Sequence, residues 1–218
     1  MNYKIEGSIL PILTVQLNKG ESIYSRTGTL IQMDENIEMS TELMGGLLKG
    51  IRRTAGKESM FLTKFTGLND GAKLQLAARD VPGNTKAFKA NSENDLLVER
   101  AAFLASESSV DLDIAFMKRI SAGLLGGEGF IFLHFTGDGT IFLHPYGEIS
   151  EHILKEGEKT FVARGKIVAF EKSMDFNVRF MKTIKNTLLS RDGMFLCELT
   201  GPGRVWTQSS FKIGERLQ

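Results

Sequence analysis

Apolar and polar residues alternate in three separate stretches of the chain. Ile37, Met39, Thr41 and Leu43 alternate with Glu38, Ser40 and Glu42; Val110, Leu112, Ile114 and Phe116 with Asp111, Asp113 and Ala115; Met174, Phe176, Val178 and Phe180 with Asp175, Asn177 and Arg179. A period of two with one polar face predicts half-buried antiparallel strands. Further along each copy lies a run that is apolar on both parities: Met60 to Gly67, Phe130 to Gly137 and Met194 to Gly201, each ending in Thr-Gly. Such strands are expected to be covered on both faces, by a second sheet or by a neighbouring subunit. Only Lys64, His134 and Glu198 interrupt them, at one equivalent position near the strand end. A second glycine follows at Gly71, Gly139 and Gly203, and then new strand-like runs open at Lys73 to Leu76, Ile141 to His144 and Val205 to Gln208. This pattern predicts hairpins, because glycine reaches the positive φ that tight turns demand.

These stretches read as three copies of one unit. Arg26, Arg100 and Arg164 stand in corresponding places upstream, and the second and third copies are offset by 64 residues at every anchor. The copies span about residues 3–79, 80–144 and 145–214. A unit of this size buries too little surface to be comfortable alone, so residues 1–218 are expected to fuse into a single domain. The expected fold is all-β, built from three tandem β-rich repeats.

The stretch Gly45 to Arg53 (Gly-Gly-Leu-Leu-Lys-Gly-Ile-Arg-Arg), followed by the aromatic Thr-Gly strand Phe61 to Gly67, resembles the bacterial branch of the altered-inheritance-of-mitochondria family. The resemblance covers nearly the whole chain. It implies a fold similar to the tryptophan RNA-binding attenuator protein, with three β-rich repeats about a pseudo-threefold axis in a body of the double-stranded β-helix type. Bacterial members were long filed as a domain of unknown function, and mitochondrial ones are linked to inner-membrane organisation, so the resemblance implies a fold and no chemistry. No motif here matches the attenuator protein's tryptophan-binding or RNA-binding residues. RNA binding is therefore an alternative by fold analogy only.

Composition narrows the classes. Of 218 residues, 42% are hydrophobic and 24% charged, which is ordinary globular composition. Lys and Arg number 27 against 26 Asp and Glu, so a globally basic nucleic-acid binder is excluded. One cysteine, Cys197, excludes an intrachain disulfide framework and multi-cysteine metal sites. Residues Met1 to Leu17 carry Lys4 and Glu6 and break at Pro11, unlike a secretory leader. No apolar run approaches the roughly 20 residues of a spanning helix. These observations predict a cytoplasmic protein.

Candidate chemistry is sparse. Gly45 to Gly50 fails as a phosphate cradle because Lys49 precedes Gly50 and Ile51 follows, where Gly-Lys-Ser/Thr is needed. Gly123 to Gly129 lacks the dinucleotide order of glycines. His134, His144 and His152 include no His-x-His pair, though His134 and His144 share parity across a turn near Glu148. A metal-dependent enzyme of the β-helix type is accordingly a further alternative. Cys197 reads as a small buried residue, and Trp206, aligned with Phe142 and Leu74, as a core residue. Asp111 with Asp113, and Glu148 with Glu151, read as solvated faces. No catalytic residue, cofactor or metal ligand is assigned, and the protein is expected not to be an enzyme.

One feature rises above this background. The connectors between each alternating strand and its Thr-Gly strand hold nine basic and three acidic residues, which leaves the remainder of the chain mildly anionic. Each also holds a Leu-Leu pair. The expected partner-binding residues are Leu47, Leu48, Lys49, Arg52 and Arg53; Lys118, Arg119, Leu124 and Leu125; and Lys182, Lys185, Leu188 and Leu189. If rotation relates the units, these connectors emerge at one end as a cationic, leucine-bearing pole. That polarity suits an anionic membrane surface, at the inner face of the membrane. The expectation is a homo-oligomeric scaffold or binding protein, with nucleic acid the less favoured partner for the same patch.

Overall fold

The computed structural model describes residues 1–44, 60–78, 82–91, 95–117, 130–163, 165–181 and 194–210. The first part of the chain forms β1 (Asn2–Glu6), β2 (Ile12–Leu17), β3 (Ser22–Arg26), β4 (Leu30–Met33), β5 (Ile37–Met44), β6 (Met60–Gly67) and β7 (Ala72–Leu76). The middle forms β8 (Lys86–Ala90), β9 (Leu96–Glu99), β10 (Phe103–Glu107), β11 (Val110–Met117), β12 (Phe130–Gly137) and β13 (Gly139–Leu143). The last part forms β14 (Ile149–Leu154), β15 (Lys159–Ala163), β16 (Ile167–Glu171), β17 (Asp175–Met181), β18 (Met194–Thr200) and β19 (Gly203–Gln208). Among the described residues the one helical element is a 3₁₀ turn at Arg100–Ala102, whose N–H groups are capped by the Glu99 carboxylate.

All strand pairing within the sheets is antiparallel. One six-stranded sheet has the order β5-β6-β3-β10-β13-β8, and a second has β11-β12-β9-β16-β19-β14. The second order is the first with six added to every strand number. A four-stranded sheet, β1-β2-β7-β4, and a three-stranded sheet, β15-β18-β17, complete the molecule.

Three buried clusters lie between these sheets in series. Leu13, Val15 and Leu74 of the four-stranded sheet meet Ile23, Phe65 and Phe142 of the first six-stranded sheet. The other face of that sheet, with Leu62, Phe103 and Ile141, meets Val98, Phe135 and Trp206 of the second. The far face of the second, with Leu97, Phe132 and Phe170, meets Val162, Cys197 and Leu199 of the three-stranded sheet. The central strands of both six-stranded sheets are thus buried on both faces, which is why β6 and β12 need apolar residues on both parities. That burial is satisfied within one chain.

The Thr-Gly ending has a local cause. A Cβ on Gly67 would stand 2.6 Å from the carbonyl oxygen of Asn18, and one on Gly201 would stand 2.4 Å from that of Lys155. Gly137 holds φ at +85°, where a side chain strains the backbone. The glycine lets the strand pass close under the preceding turn.

Pairing registers correct two equivalences that the residue pattern suggests. Arg26 faces Leu62, a place filled by Glu99 opposite Phe132 and by Ala163 opposite Leu196. Arg100 therefore stands one residue further along than Arg26, and Arg164 lies outside the described residues. Trp206 and Phe142 each pair just past a bulge, with Ala169 and Ala105; in the first unit Gln75, paired with Gln32, holds that place rather than Leu74. A bulge adds one residue to one strand, and sequence spacing does not register it. Met39 also departs from expectation, being half exposed on the apolar parity of β5.

Candidate functional site

Three hairpins organise the candidate binding elements. Their ladders run out to the final rungs Met44↔Met60, Met117↔Phe130 and Met181↔Met194. The basic Leu-Leu connectors join the paired strands of three long ladders, β5 to β6, β11 to β12 and β17 to β18. All thirteen residues assigned to partner binding lie outside the described residues: Leu47, Leu48, Lys49, Arg52, Arg53, Lys118, Arg119, Leu124, Leu125, Lys182, Lys185, Leu188 and Leu189. The three flanking strand pairs belong to three different sheets.

Lower on each hairpin, the polar residue in the Thr-Gly strand sits at one station. Lys64 faces Ser40 and Tyr24, His134 faces Asp113 and Leu97, and Glu198 faces Asn177 and Phe161. Each is paired, with the charges dealt differently. Lys64 Nζ lies 3.6 Å from Glu42 Oε1 and 5.7 Å from the Tyr24 ring centroid. The Tyr24 hydroxyl donates to Glu42 at 3.1 Å, and burial, reinforced by that carboxylate, pushes its pKa up. His134 Nε2 lies 2.8 Å from Asp95 Oδ2, and Lys172 Nζ lies 3.1 Å from the same oxygen. Burial opposes the Asp95 charge, yet hydrogen bonds from His134 and Lys172 hold its carboxyl below the usual range. Glu198 is buried and takes charged hydrogen bonds from Arg179 and, at 2.8 Å, from Lys159. The Arg179 bond, then the Lys159 bond, pull its carboxyl down to about 2.

These pairs neutralise charge at a covered strand end, so they read as structural. His134 and His144 do not meet in a common site: His144 is buried with Nδ1 2.9 Å from Thr85 Oγ1, while His134 turns to Asp95. His152 is exposed near Thr207. Among the described residues no three His, Cys, Asp or Glu side chains converge as a metal would require. Cys197 is fully buried in the last core cluster, and Asp111, Asp113, Glu148 and Glu151 are exposed.

A cleft of about 470 Å³ opens between edge strands β8 and β14, and no residue motif signals it. Trp206 forms part of its wall, set edge-on to Phe88 with centroids 5.3 Å apart. Its polar groups brace one another: Arg204 Nη2 lies 2.7 Å from Glu171 Oε1, Trp206 Nε1 donates to Glu151 at 2.7 Å, and Lys89 Nζ donates to Thr140 at 2.8 Å. The cleft could be found only from the fold, because its wall is drawn from two sheet edges far apart in sequence.

Among the described residues no helix is long and apolar enough to cross a membrane. An uncharacterized protein of Streptococcus pyogenes serotype M6 is 28% identical over 218 aligned positions, which cover 96% of this chain and 86% of the relative. The crystal structure of protein SPYM3_0169 from Streptococcus pyogenes superposes with a TM-score of 0.73 at 23% identity, covering 96% of this chain and 94% of that one. The likeness in fold thus extends over both chains. The family described as mitochondrial biogenesis AIM24 matches residues 3–210, and on that span, the whole of the β body, the chain belongs to this family.

Proposed function

We propose that the protein is a non-enzymatic, self-associating scaffold that docks on an anionic membrane surface through its three hairpin tips. The units are taken to be related by one repeated rotation, which gathers the tips at one pole. The observation that supports this reading is the continuous pairing of each hairpin to its last rung, beneath a connector rich in Lys, Arg and Leu-Leu. That pairing holds the two ends of each connector together at the head of a two-stranded ribbon. Basic residues near an anionic bilayer contribute about 1 kcal/mol each, and leucines add apolar burial.

Vesicle co-sedimentation tests it. Vesicles rich in phosphatidylserine should retain the protein at low salt, and neutral phosphatidylcholine vesicles should not. Replacing Lys49, Arg52 and Arg53 by Glu should weaken retention by roughly two orders of magnitude or more, since three lost contacts of about 1 kcal/mol multiply. Equal retention by both vesicle types would overturn the electrostatic reading.

A further inference from the structure

The strand orders contain a joint that is made twice and left open once. In the first six-stranded sheet, β3 pairs with β10, through Ser25↔Ala105, Tyr24↔Ser106 and Ile23↔Glu107. In the second, β9 pairs with β16, through Val98↔Ala169, Leu97↔Phe170 and Leu96↔Glu171. Each joint links one unit to the next. The corresponding strands that remain are β15 of the last unit and β4 of the first, and both are sheet edges with no described strand beyond them.

Exposure follows that difference. Strand β16 is buried along its whole length and β10 at four of its five residues. In β4, by contrast, Leu30 is 38% and Ile31 49% exposed, and in β15 Phe161 is 53% exposed. An unpaired apolar edge is a template for another strand. Had the chain closed on itself, these residues would be covered as β10 and β16 are.

The pairing registers carry over to the open joint and specify it: Gln32↔Val162, Met33↔Phe161 and Asp34↔Thr160. One step further, Ser108 N–H donates to Ser22 O at 3.2 Å in the first joint, and Lys172 N–H to Asp95 O at 2.9 Å in the second. The second joint adds an ion pair there, Lys172 with Asp95 at 3.1 Å. At the open joint the same two places hold Glu35 and Lys159, again opposite in charge but with the signs exchanged. Met33 thus meets another apolar side chain in Phe161, and Glu35 meets a countercharge in Lys159.

We infer that β15 of one molecule pairs antiparallel with β4 of a second copy, in the register Met33↔Phe161 and with Glu35 against Lys159. The contact is head-to-tail, so each copy offers both halves, and assembly ends only when a ring closes. This inference deepens the self-association proposed above by naming its surface, and it rests on that reading.

Cysteine cross-linking tests the register. Facing residues of an antiparallel pair have Cα atoms about 4.5–5.5 Å apart, within disulfide reach. A mixture of Met33→Cys and Phe161→Cys proteins should give a two-chain band under mild oxidation with copper phenanthroline, and neither variant alone should. A disulfide that forms only inside single chains of the doubly substituted protein would overturn the inference, as would none in any combination. Glu35→Pro gives a second readout. Glu35 is the second residue of the turn closed by Ile37 N–H to Asp34 O at 3.2 Å, a place that accepts proline, so the fold should survive while the joint loses a donor and a charge. Light scattering on this variant should fall to the single-chain mass with circular dichroism unchanged. A multimer that persists in Glu35→Pro and does not cross-link keeps self-association and refutes this surface. A single-chain mass for the unsubstituted protein refutes both.

Discussion

Phe170 in β16 and Met33 in β4 occupy the same place in their units, one step past a bulge, yet their surroundings differ. Phe170 is fully buried and paired across the joint with Leu97, with its ring 5.1 Å from Phe132 and 5.6 Å from Phe176. Met33 is only partly buried, and its strand ends the sheet. The contrast lies in the neighbouring unit: β16 takes its partner β9 from the unit before it, and β4, in the first unit, ends its sheet. An interior strand borrows a partner, and a terminal one does not.

Several substitutions would break or sharpen that contrast. The largest effect is expected for Phe170→Ala, about 3–5 kcal/mol of unfolding free energy, because it empties a closed aromatic cluster. Met33→Ala in a dilute, unassembled sample should cost less than about half of that, since its surroundings are partly solvent. Urea midpoints of the two variants check the difference, and equal losses would mean that β4 is covered after all.

A smaller effect separates the polar stations by pH. The Glu198 carboxyl titrates at about 2 in the folded protein, below the ordinary carboxylate value of about 4.5. Its folded pKa is depressed, so its stabilisation is fully present above about pH 4.5 and is lost as pH falls from there toward 2. Glu198→Gln should therefore flatten that part of the acid limb in thermal melts. An unaltered limb would mean that Arg179 and Lys159 do not hold the carboxylate in solution. The smallest effect belongs to Lys64→Gln at the equivalent station, where the ion pair with Glu42 is about one-third exposed and worth less than about 1 kcal/mol. A denaturation midpoint close to that of the unsubstituted protein is the expected result.

Much of the architecture was legible in the chain. The alternating strands, the Thr-Gly strands and the turns between them follow from periodicity and glycine placement, because pleated backbone sends neighbouring side chains to opposite faces. In β17 the pattern holds residue by residue from Asp175 to Arg179. Apolar residues on both parities of β12 anticipated burial on both faces. Two fine correspondences slipped by one place, Arg26 with Arg100 and Trp206 with Leu74, because bulges and turn lengths shift register without altering composition. The cleft beside Trp206 was not legible, since its walls come together only when β8 and β14 border neighbouring sheets. The pairing of Glu198 with both Arg179 and Lys159 was equally hidden. Those partners reach it from two flanking strands, β17 and β15.

The sequence by itself determined the local currency of this protein: where strands run, which face is apolar, where glycine must stand, and which connectors are cationic. These are properties of single segments, set by side-chain parity and backbone freedom. Tertiary structure alone decided which strands meet across units, that the central strands of two sheets are covered on both faces while β4 and β15 end their sheets among the described residues, and which charges neutralise one another. The physical reason is that pairing is a relation between distant segments, chosen by the summed burial of a whole sheet, and no single segment carries that sum.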